Sequence, residues 1–304
     1  MSTSNNNTML TKVENYDTDR MVFSEPVSGS IPDSIPKIEF KRINIGTTNP
    51  DGTVGDLVIG TERLFSFGVS ENKSMETGRI SGYVMPLCLW SRDGATEMEK
   101  AFTETFTAIV EKCKDHLIEN REEIDQFEMV RSDLRKFNPL YYKKEKVVDS
   151  RTKKTVLKVV EGTGPTLYAK LIFSKKNDKF VTTFFDSVTG MDVDPLTLLG
   201  KYCYARAAVK VESIFIGNKI SLQVKIYECE VQEMQSGRPR LFDRPKPVSN
   251  VVSLADDNDN ANTLLDDDDA GSLNGDVEDT PPEKTVSKKR VVKRKVKRVS
   301  RKTK

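Results

Sequence analysis

The stretch ARAAVKVESIFI at residues 205–216, followed by Gly217-Asn218 and by ISLQVKIY at residues 220–227, decides the fold of this chain. Through both segments, apolar residues such as Val209 alternate with polar residues such as Lys210. This period of two is typical of β-strands that bury one face. Gly217-Asn218 is typical of a two-residue hairpin turn with glycine first. The pattern therefore predicts an antiparallel β-hairpin.

Shorter stretches with strand character lie upstream of the hairpin, on both sides of a helical region. The candidate strands cover residues 38–45, 57–59, 63–69, 79–90, 140–148, 155–160, 166–173 and 180–186. Thr96 and Glu99 form a helix-capping box, and an apolar stripe at helical spacing follows. The stripe consists of Met98, Phe102, Phe106, Ile109, Cys113 and Leu117. A second, weaker helix is predicted over residues 122–136.

These elements predict an α+β protein, namely an OB-fold-like antiparallel β-barrel with a helical insertion at about residues 95–137. Residues 1–36 are rich in Ser, Asn, Asp and Pro, and we expect a mobile leader there with one edge strand near Met21–Phe23. The folded domain is expected over residues 37–249. Residues 250–304 are expected to form a disordered C-terminal tail.

The tail divides into an acidic block and a basic block. Residues 256–279 contain ten acidic residues and no Lys or Arg, whereas residues 283–304 contain twelve Lys or Arg and one acid. The rest of the chain is close to neutral, so a nucleic-acid surface there must come from local clustering of charge. The basic block is typical of a nuclear-localisation signal or a nucleic-acid-binding arm. The acidic block could mimic phosphate, fold back on the basic block or act as a solvating linker.

We find no catalytic motif, and we predict that the protein is not an enzyme and holds no cofactor or metal. The single histidine, His116, lies in the predicted helix without partners that would make it a base. Cys113 precedes it at i, i+3 spacing, but no second pair has the spacing of metal ligands. Asp186, Asp192 and Asp194 could hold a divalent ion in a nuclease, although acidic turn residues between strands are commoner.

The N-terminus is polar, and no apolar run reaches the length needed to span a bilayer. The four cysteines are widely spaced and include no Cys-x-x-Cys pair. We therefore expect reduced thiols in a protein that is not secreted and not embedded in a membrane.

Three stretches mix aromatic and basic residues, the combination that single-strand-binding grooves use to stack on bases and contact phosphates. The candidate base-stacking residues are Phe137, Tyr141, Tyr142, Tyr168, Tyr202 and Tyr204. The candidate phosphate contacts are Lys143, Lys144, Lys146, Lys170, Lys175, Lys176, Arg206 and Lys210. In the alternative interpretation, the aromatic rings belong to the core and the lysines extend to water. Neighbours on a strand point to opposite sides, so we expect one of Tyr141 and Tyr142 to bind and the other to be core.

The order of several motifs resembles the single-stranded DNA-binding proteins of nucleocytoplasmic large DNA viruses of the poxvirus, asfarvirus, mimivirus and phycodnavirus kinds. The motifs are Pro165-Thr-Leu-Tyr168-Ala-Lys170-Leu-Ile, Asp192-Val-Asp-Pro195, Gly200-Lys201, Ala207 to Gly217, and Ile220-Ser-Leu-Gln-Val-Lys225. The resemblance is firmest over residues 137–231 and weaker over residues 37–90. It implies an OB-fold without enzymatic activity that coats single strands during viral DNA replication, recombination and repair. Related phage proteins recruit replication partners through an acidic tail, whereas here a basic block follows the acidic one.

We therefore predict a sequence-tolerant single-stranded DNA-binding protein that acts in the host cytoplasm (the virus factory) or the nucleus. Its expected partners are single-stranded DNA and, through the acidic tail, replication proteins. The alternative is a structural or packaging protein that binds nucleic acid only through its basic tail. RNA binding stays open at this point, because stacking does not sense a 2′-hydroxyl.

Overall fold

The computed structural model describes residues 7–30, 38–73, 78–148, 155–174 and 177–234. The strands, in chain order, are β1 Met9–Thr11, β2 Met21–Phe23, β3 Val27–Ser30, β4 Glu39–Thr48, β5 Val54–Gly60, β6 Leu64–Ser66, β7 Ser70–Lys73, β8 Ile80–Cys88, β9 Leu140–Tyr141, β10 Lys144–Val148, β11 Thr155–Val159, β12 Thr166–Leu171, β13 Phe173–Ser174, β14 Lys179–Phe180, β15 Thr183–Asp186, β16 Cys203–Ile216 and β17 Ile220–Glu233. The helices are α1 at Glu97–Glu119 and three short 3-10 helices at Thr18–Arg20, Arg131–Lys136 and Pro195–Leu198.

Five strands close into a β-barrel in the order β16, β6, β8, β12, β17 and back to β16. Four of the five pairings are antiparallel, whereas β12 and β17 pair in parallel. The barrel predicted from the sequence is therefore present, but it is not entirely antiparallel. Its buried side is lined by alternate residues of these strands: Leu64, Met85, Leu87, Leu167, Ala169, Ala205, Ala207, Val209, Val224 and Ile226.

The predicted hairpin is formed by β16 and β17, which are joined by a turn of three residues, since Ile216 pairs with Ile220. The prediction of a two-residue turn is wrong by one residue. Two irregularities interrupt the ladder, one of them between Val211 and Ser213, where the strict alternation of faces is lost. Lys225 lies between Val224 and Ile226, which face the barrel interior, and the sequence pattern placed it among the solvent-facing residues. It is nevertheless buried, and it forms an ion pair of 2.9 Å with Glu212.

Helix α1 begins at the predicted capping box, in which Thr96 accepts from the backbone of Glu99 and Glu99 accepts from the backbone of Thr96. Glu99 also accepts a 2.5 Å hydrogen bond from the Ser91 hydroxyl, which anchors the start of the helix to the end of β8. The predicted stripe is buried except for Met98, which is exposed. The predicted second helix over residues 122–136 is wrong in extent, because only Arg131–Lys136 is helical and as a 3-10 helix.

Part of the segment assigned from the sequence to a mobile leader belongs to the sheet. Strand β1 pairs with β5, and β2 and β3 both pair with β4. The predictions for residues 250–304 concern a tail that lies outside the described residues. Within the part of the chain that is described, no helix is long and apolar enough to cross a membrane.

Candidate nucleic-acid interface

A row of directly paired residues crosses the outer side of six strands. The row runs through Tyr141 on β9, Thr166 on β12, Cys88 on β8, Phe65 on β6, Tyr204 on β16 and Gln232 on β17. Directly opposed residues on antiparallel strands share one face of a sheet. At about 4.8 Å between neighbouring strands, the five steps of the row add up to about 24 Å when measured around the curved sheet. The flanking residues Leu64, Leu87, Leu167 and Ala205 are buried, so the row itself faces outward.

The first aromatic cluster on this surface consists of Tyr141 and Tyr168. Their rings meet edge to face, with centroids 6.2 Å apart at an interplanar angle of 83°. Tyr141 is 37% exposed and Tyr168 is 50% exposed. Partial burial raises the pKa of Tyr168, and the neighbouring Tyr141 raises it further. Both rings keep substantial area for contact with a planar ligand.

The second aromatic cluster lies two to three strands away on the same row. It consists of Phe65, Phe67, Tyr202 and Tyr204, with Phe65 at its centre. Centroid distances from Phe65 are 5.1 Å to Phe67, 5.7 Å to Tyr202 and 6.4 Å to Tyr204. Phe67 is 48% exposed and Tyr202 is 56% exposed. Four rings on one surface, two of them about half exposed, form a broad apolar platform.

A close approach of two backbone segments places Phe67 next to Tyr202. Gly68 has φ = +83°, and a Cβ there would lie 2.2 Å from the carbonyl oxygen of Lys201. The neighbouring Val69 donates a 3.0 Å backbone hydrogen bond to Leu198. Only glycine combines this left-handed backbone with so little space, so Gly68 is required for the second cluster.

Arg63 covers part of the second cluster. Its guanidinium carbon lies 4.1 Å from the centroid of the Tyr204 ring, and its NH2 group donates to the side-chain carbonyl of Gln232. A guanidinium over a tyrosine face is a favourable cation–π contact. The cluster therefore has its own cation. Arg63, Phe65 and Phe67 are not among the residues predicted from the sequence to bind nucleic acid. Alternate aromatic residues in the predicted strand over residues 63–69 were the available signal.

Between the two clusters the surface carries small side chains. The Cys88 thiol lies 4.0 Å from the hydroxyl of Thr166, and Pro86 lies opposite Tyr168. Cys88 is half-buried, and burial raises the pKa of its thiol. The two aromatic clusters are thus separated by a strip without aromatic rings.

Two of the predicted stacking residues are not on this surface. Phe137 is only 2% exposed and belongs to the core, so the prediction that it stacks on a base is wrong. Tyr142 is partly buried against the core and hydrogen-bonded to Thr107 of α1, and burial raises the pKa of its hydroxyl. Its neighbour Tyr141 faces outward. One tyrosine of the pair therefore packs inside and the other outside, as the strand period predicted.

The predicted phosphate contacts fall into three groups. Lys143, Lys144 and Lys146 are exposed just beyond Tyr141, and Arg206 is exposed two residues beyond Tyr204. Lys170 and Lys210 are partly buried and engaged: the Lys170 ammonium donates to Gln223 at 3.1 Å, and the Lys210 ammonium pairs with Asp56 at 3.0 Å. Lys175 and Lys176 lie outside the described residues.

Three of the residues considered for metal or base chemistry, namely Asp186, Asp194 and His116, have structural partners. Asp186 accepts hydrogen bonds from the backbone of Val188 and Thr189, and Asp194 accepts from the backbone of Leu196. The described ranges contain no group of three or more His, Cys, Asp or Glu side chains arranged to hold a metal ion. His116 stacks on Phe23 at 4.0 Å, and burial lowers its pKa.

The chain belongs to the family described as "Protein of unknown function (DUF2738)", which matches residues 14–271. It is 27% identical to "Uncharacterized protein 007R" of Invertebrate iridescent virus 3 over 247 residues, which cover 78% of this chain and 51% of the relative. It is 28% identical to "Early 31 kDa protein" of Frog virus 3 (isolate Goorha) over 192 residues, which cover 63% of this chain and 69% of the relative. The chain thus spans about half the length of the iridescent virus relative. Both relatives are proteins of large DNA viruses, in agreement with the viral part of the resemblance.

Proposed function

We propose that this protein binds single-stranded DNA, with little dependence on sequence, across the outer surface of its barrel. The observation that carries the proposal is the pair of exposed aromatic clusters on one row of paired strands. Each ring that stacks on a base contributes about 1–3 kcal/mol, and every base has a π-face, so such binding tolerates sequence. Each of the two clusters would hold bases, and the strip around Cys88 and Thr166 would lie between them.

The topology of the barrel supports this proposal. In chain order the barrel strands are β6, β8, β12, β16 and β17. The third strand, β12, pairs with the second, β8, and with the fifth, β17. The first strand, β6, pairs with the fourth, β16. We infer an OB-fold from this five-stranded arrangement. OB-folds bind oligonucleotides on the face of their second and third strands. Those strands are here β8 and β12, which carry Cys88 and Tyr168.

Exposed cations flank both aromatic clusters and would contact the phosphates. Lys143, Lys144 and Lys146 follow Tyr141 at one end of the row, and Arg63 and Arg206 accompany Tyr204 near the other. Lys170 and Lys210 contribute less in this proposal, because each already has a polar or acidic partner. A role in viral DNA replication, recombination and repair, with replication proteins as partners of the acidic tail, follows from the resemblance.

The decisive experiment compares the full chain with a chain that ends at Asn250. Both are titrated against labelled oligothymidine, oligouridine and a duplex across a salt series, with fluorescence anisotropy as the readout. We expect the shorter chain to keep its preference for single strands over duplex. If all binding disappears with residues 251–304, the protein contacts nucleic acid only through its tail, and the packaging alternative is correct. Equal affinity for oligouridine would extend the ligand class to RNA.

A further inference from the structure

The hairpin formed by β10 and β11, here called the arm, is a separate element of the fold. Its strands pair with each other over five residue pairs and, among the described residues, with no strand of the barrel sheet. At its base, the backbone amide of Val160 donates a 2.9 Å hydrogen bond to the carbonyl of Lys143. Lys143 lies two residues beyond Tyr141. The arm therefore leaves the barrel beside the Tyr141–Tyr168 cluster.

One face of the arm combines cationic and apolar side chains. Lys144 lies opposite Val159, and Lys146 lies opposite Leu157. Both lysines are exposed, as are Leu157 at 51% and Val159 at 47%. A two-stranded hairpin with exposed apolar side chains on a single ribbon is only marginally stable by itself in water. Apolar side chains grouped on such a ribbon indicate a contact surface.

Charge and position identify what the arm contacts. The described residues of the arm and its base, 143–148 and 155–160, carry four lysines and one glutamate. Like charges would oppose pairing between the arms of two copies, and lysines on an exposed edge are a recognised device against such pairing. A polyanion that passes Tyr141 has the complementary charge and reaches the arm directly.

We propose that the arm is a further binding element, which holds the single strand as it leaves the Tyr141–Tyr168 cluster. In this arrangement Lys144 and Lys146 contact phosphates, and Leu157 and Val159 contact sugars or bases of the same strand. Five residues per strand give the arm a length of about 14 Å. That length corresponds to about four further nucleotides at the 3.4 Å spacing of stacked bases. The inference rests on the proposed function, because it assumes that the bound DNA follows the row of paired residues from Tyr141 to Gln232.

The test uses the full chain and oligothymidines of increasing length, from about 4 to about 16 nucleotides, the range of site sizes for one OB-fold. The arm variant is Leu157→Ser/Val159→Ser, and its matched control is Val188→Ser, which changes a more exposed apolar residue outside the arm. We expect the arm variant to weaken binding of the longer oligonucleotides about tenfold. Binding of the shortest, which can occupy an aromatic cluster without extending along the arm, should change less than twofold. The control variant should match the wild-type protein at every length.

Two results would overturn the inference. The first is an affinity of the arm variant within twofold of the wild-type value at every length, with an unchanged thermal unfolding curve. The second is a concentration-dependent dimer in sedimentation velocity that the arm variant abolishes without changing DNA affinity, which would assign the arm to contact between copies. Failure of the proposed function looks different: a Tyr141→Ala/Tyr168→Ala variant would then bind oligonucleotides of every length as tightly as the wild-type protein.

Discussion

Replacing Tyr141 and Tyr142 one at a time separates a ligand-binding ring from a core ring. The two residues are adjacent, but Tyr141 faces outward beside Tyr168, whereas Tyr142 packs against the core and is hydrogen-bonded to Thr107. We expect Tyr141→Ala to lower the affinity for oligothymidine and Tyr142→Ala to lower the stability of the fold.

The magnitudes follow from these environments. Loss of one stacked base costs about 1–3 kcal/mol, so Tyr141→Ala should raise the Kd about 5-fold to 150-fold. Its effect on folding includes the edge-to-face contact with Tyr168, worth about 0.5–1.5 kcal/mol, and the apolar area of a ring that is 37% exposed. Full truncation of a buried aromatic ring costs about 3–5 kcal/mol. Because Tyr142 is only partly buried, we expect Tyr142→Ala to lower the free energy of unfolding by about 2–4 kcal/mol, or Tm by about 4–16 °C.

The assay pairs anisotropy titrations with thermal unfolding of each variant. Tyr141→Phe is the matched control, because it keeps the ring and removes only the hydroxyl, and it should bind like the wild-type protein. Tyr142→Phe should keep the affinity and lose about 0.5–1.5 kcal/mol of stability with the hydrogen bond to Thr107. The reasoning is refuted if Tyr141→Ala binds as tightly as the wild-type protein. It is equally refuted if the folded Tyr142→Ala protein loses as much affinity as Tyr141→Ala.

The other predictions concern the centre of the row, the arm and the core. Bound oligothymidine should slow maleimide labelling of Cys88. Because burial raises the pKa of this thiol, labelling of the free protein should speed up as the pH rises. A labelling rate that DNA leaves unchanged would count against the row as the binding surface. Lys146→Ala should reduce the slope of log K against log salt by about 0.7, whereas Lys100→Ala, on a lysine paired with Glu97, should leave it unchanged. Lys225→Met should cost about 3–5 kcal/mol of stability, because it removes the ion-pair partner of Glu212, whose side chain is only 15% exposed. Lys225→Met/Glu212→Leu should recover most of that loss. Equal free energies of unfolding for the wild-type and Lys225→Met proteins in chemical denaturation would contradict this.

Local sequence patterns predicted the elements that depend on few residues. The capping box at Thr96 and Glu99 predicted the start of α1, because it requires only two side chains three residues apart. The alternation through residues 205–227 predicted the hairpin of β16 and β17 for a similar reason. The turn length was missed, because register depends on the partner strand as well as on the turn residues.

The sequence was less informative about the site. Phe137 and Tyr141 lie in the same stretch of aromatic and basic residues, so local composition does not distinguish them. Only the packing of the chain after the Arg131–Lys136 helix buries Phe137 and exposes Tyr141. Phe65 and Phe67 stand far from Tyr202 and Tyr204 in the chain, so their cluster exists only through the pairing of β6 with β16 and the close approach at Gly68. Strand pairing of this kind joins residues that are distant in the chain, so it leaves no fixed spacing in the sequence.

The sequence by itself determined the long hairpin, the capped helix and the supply of aromatic and basic residues, since periodicity and capping act between neighbours along the chain. The tertiary structure decided which side of each strand those residues occupy, because a one-residue irregularity in a ladder reverses the faces beyond it. It also decided that the barrel closes through the parallel pair of β12 and β17. The row from Tyr141 to Gln232 depends on the other, antiparallel pairings: six strands from distant parts of the chain contribute one residue each.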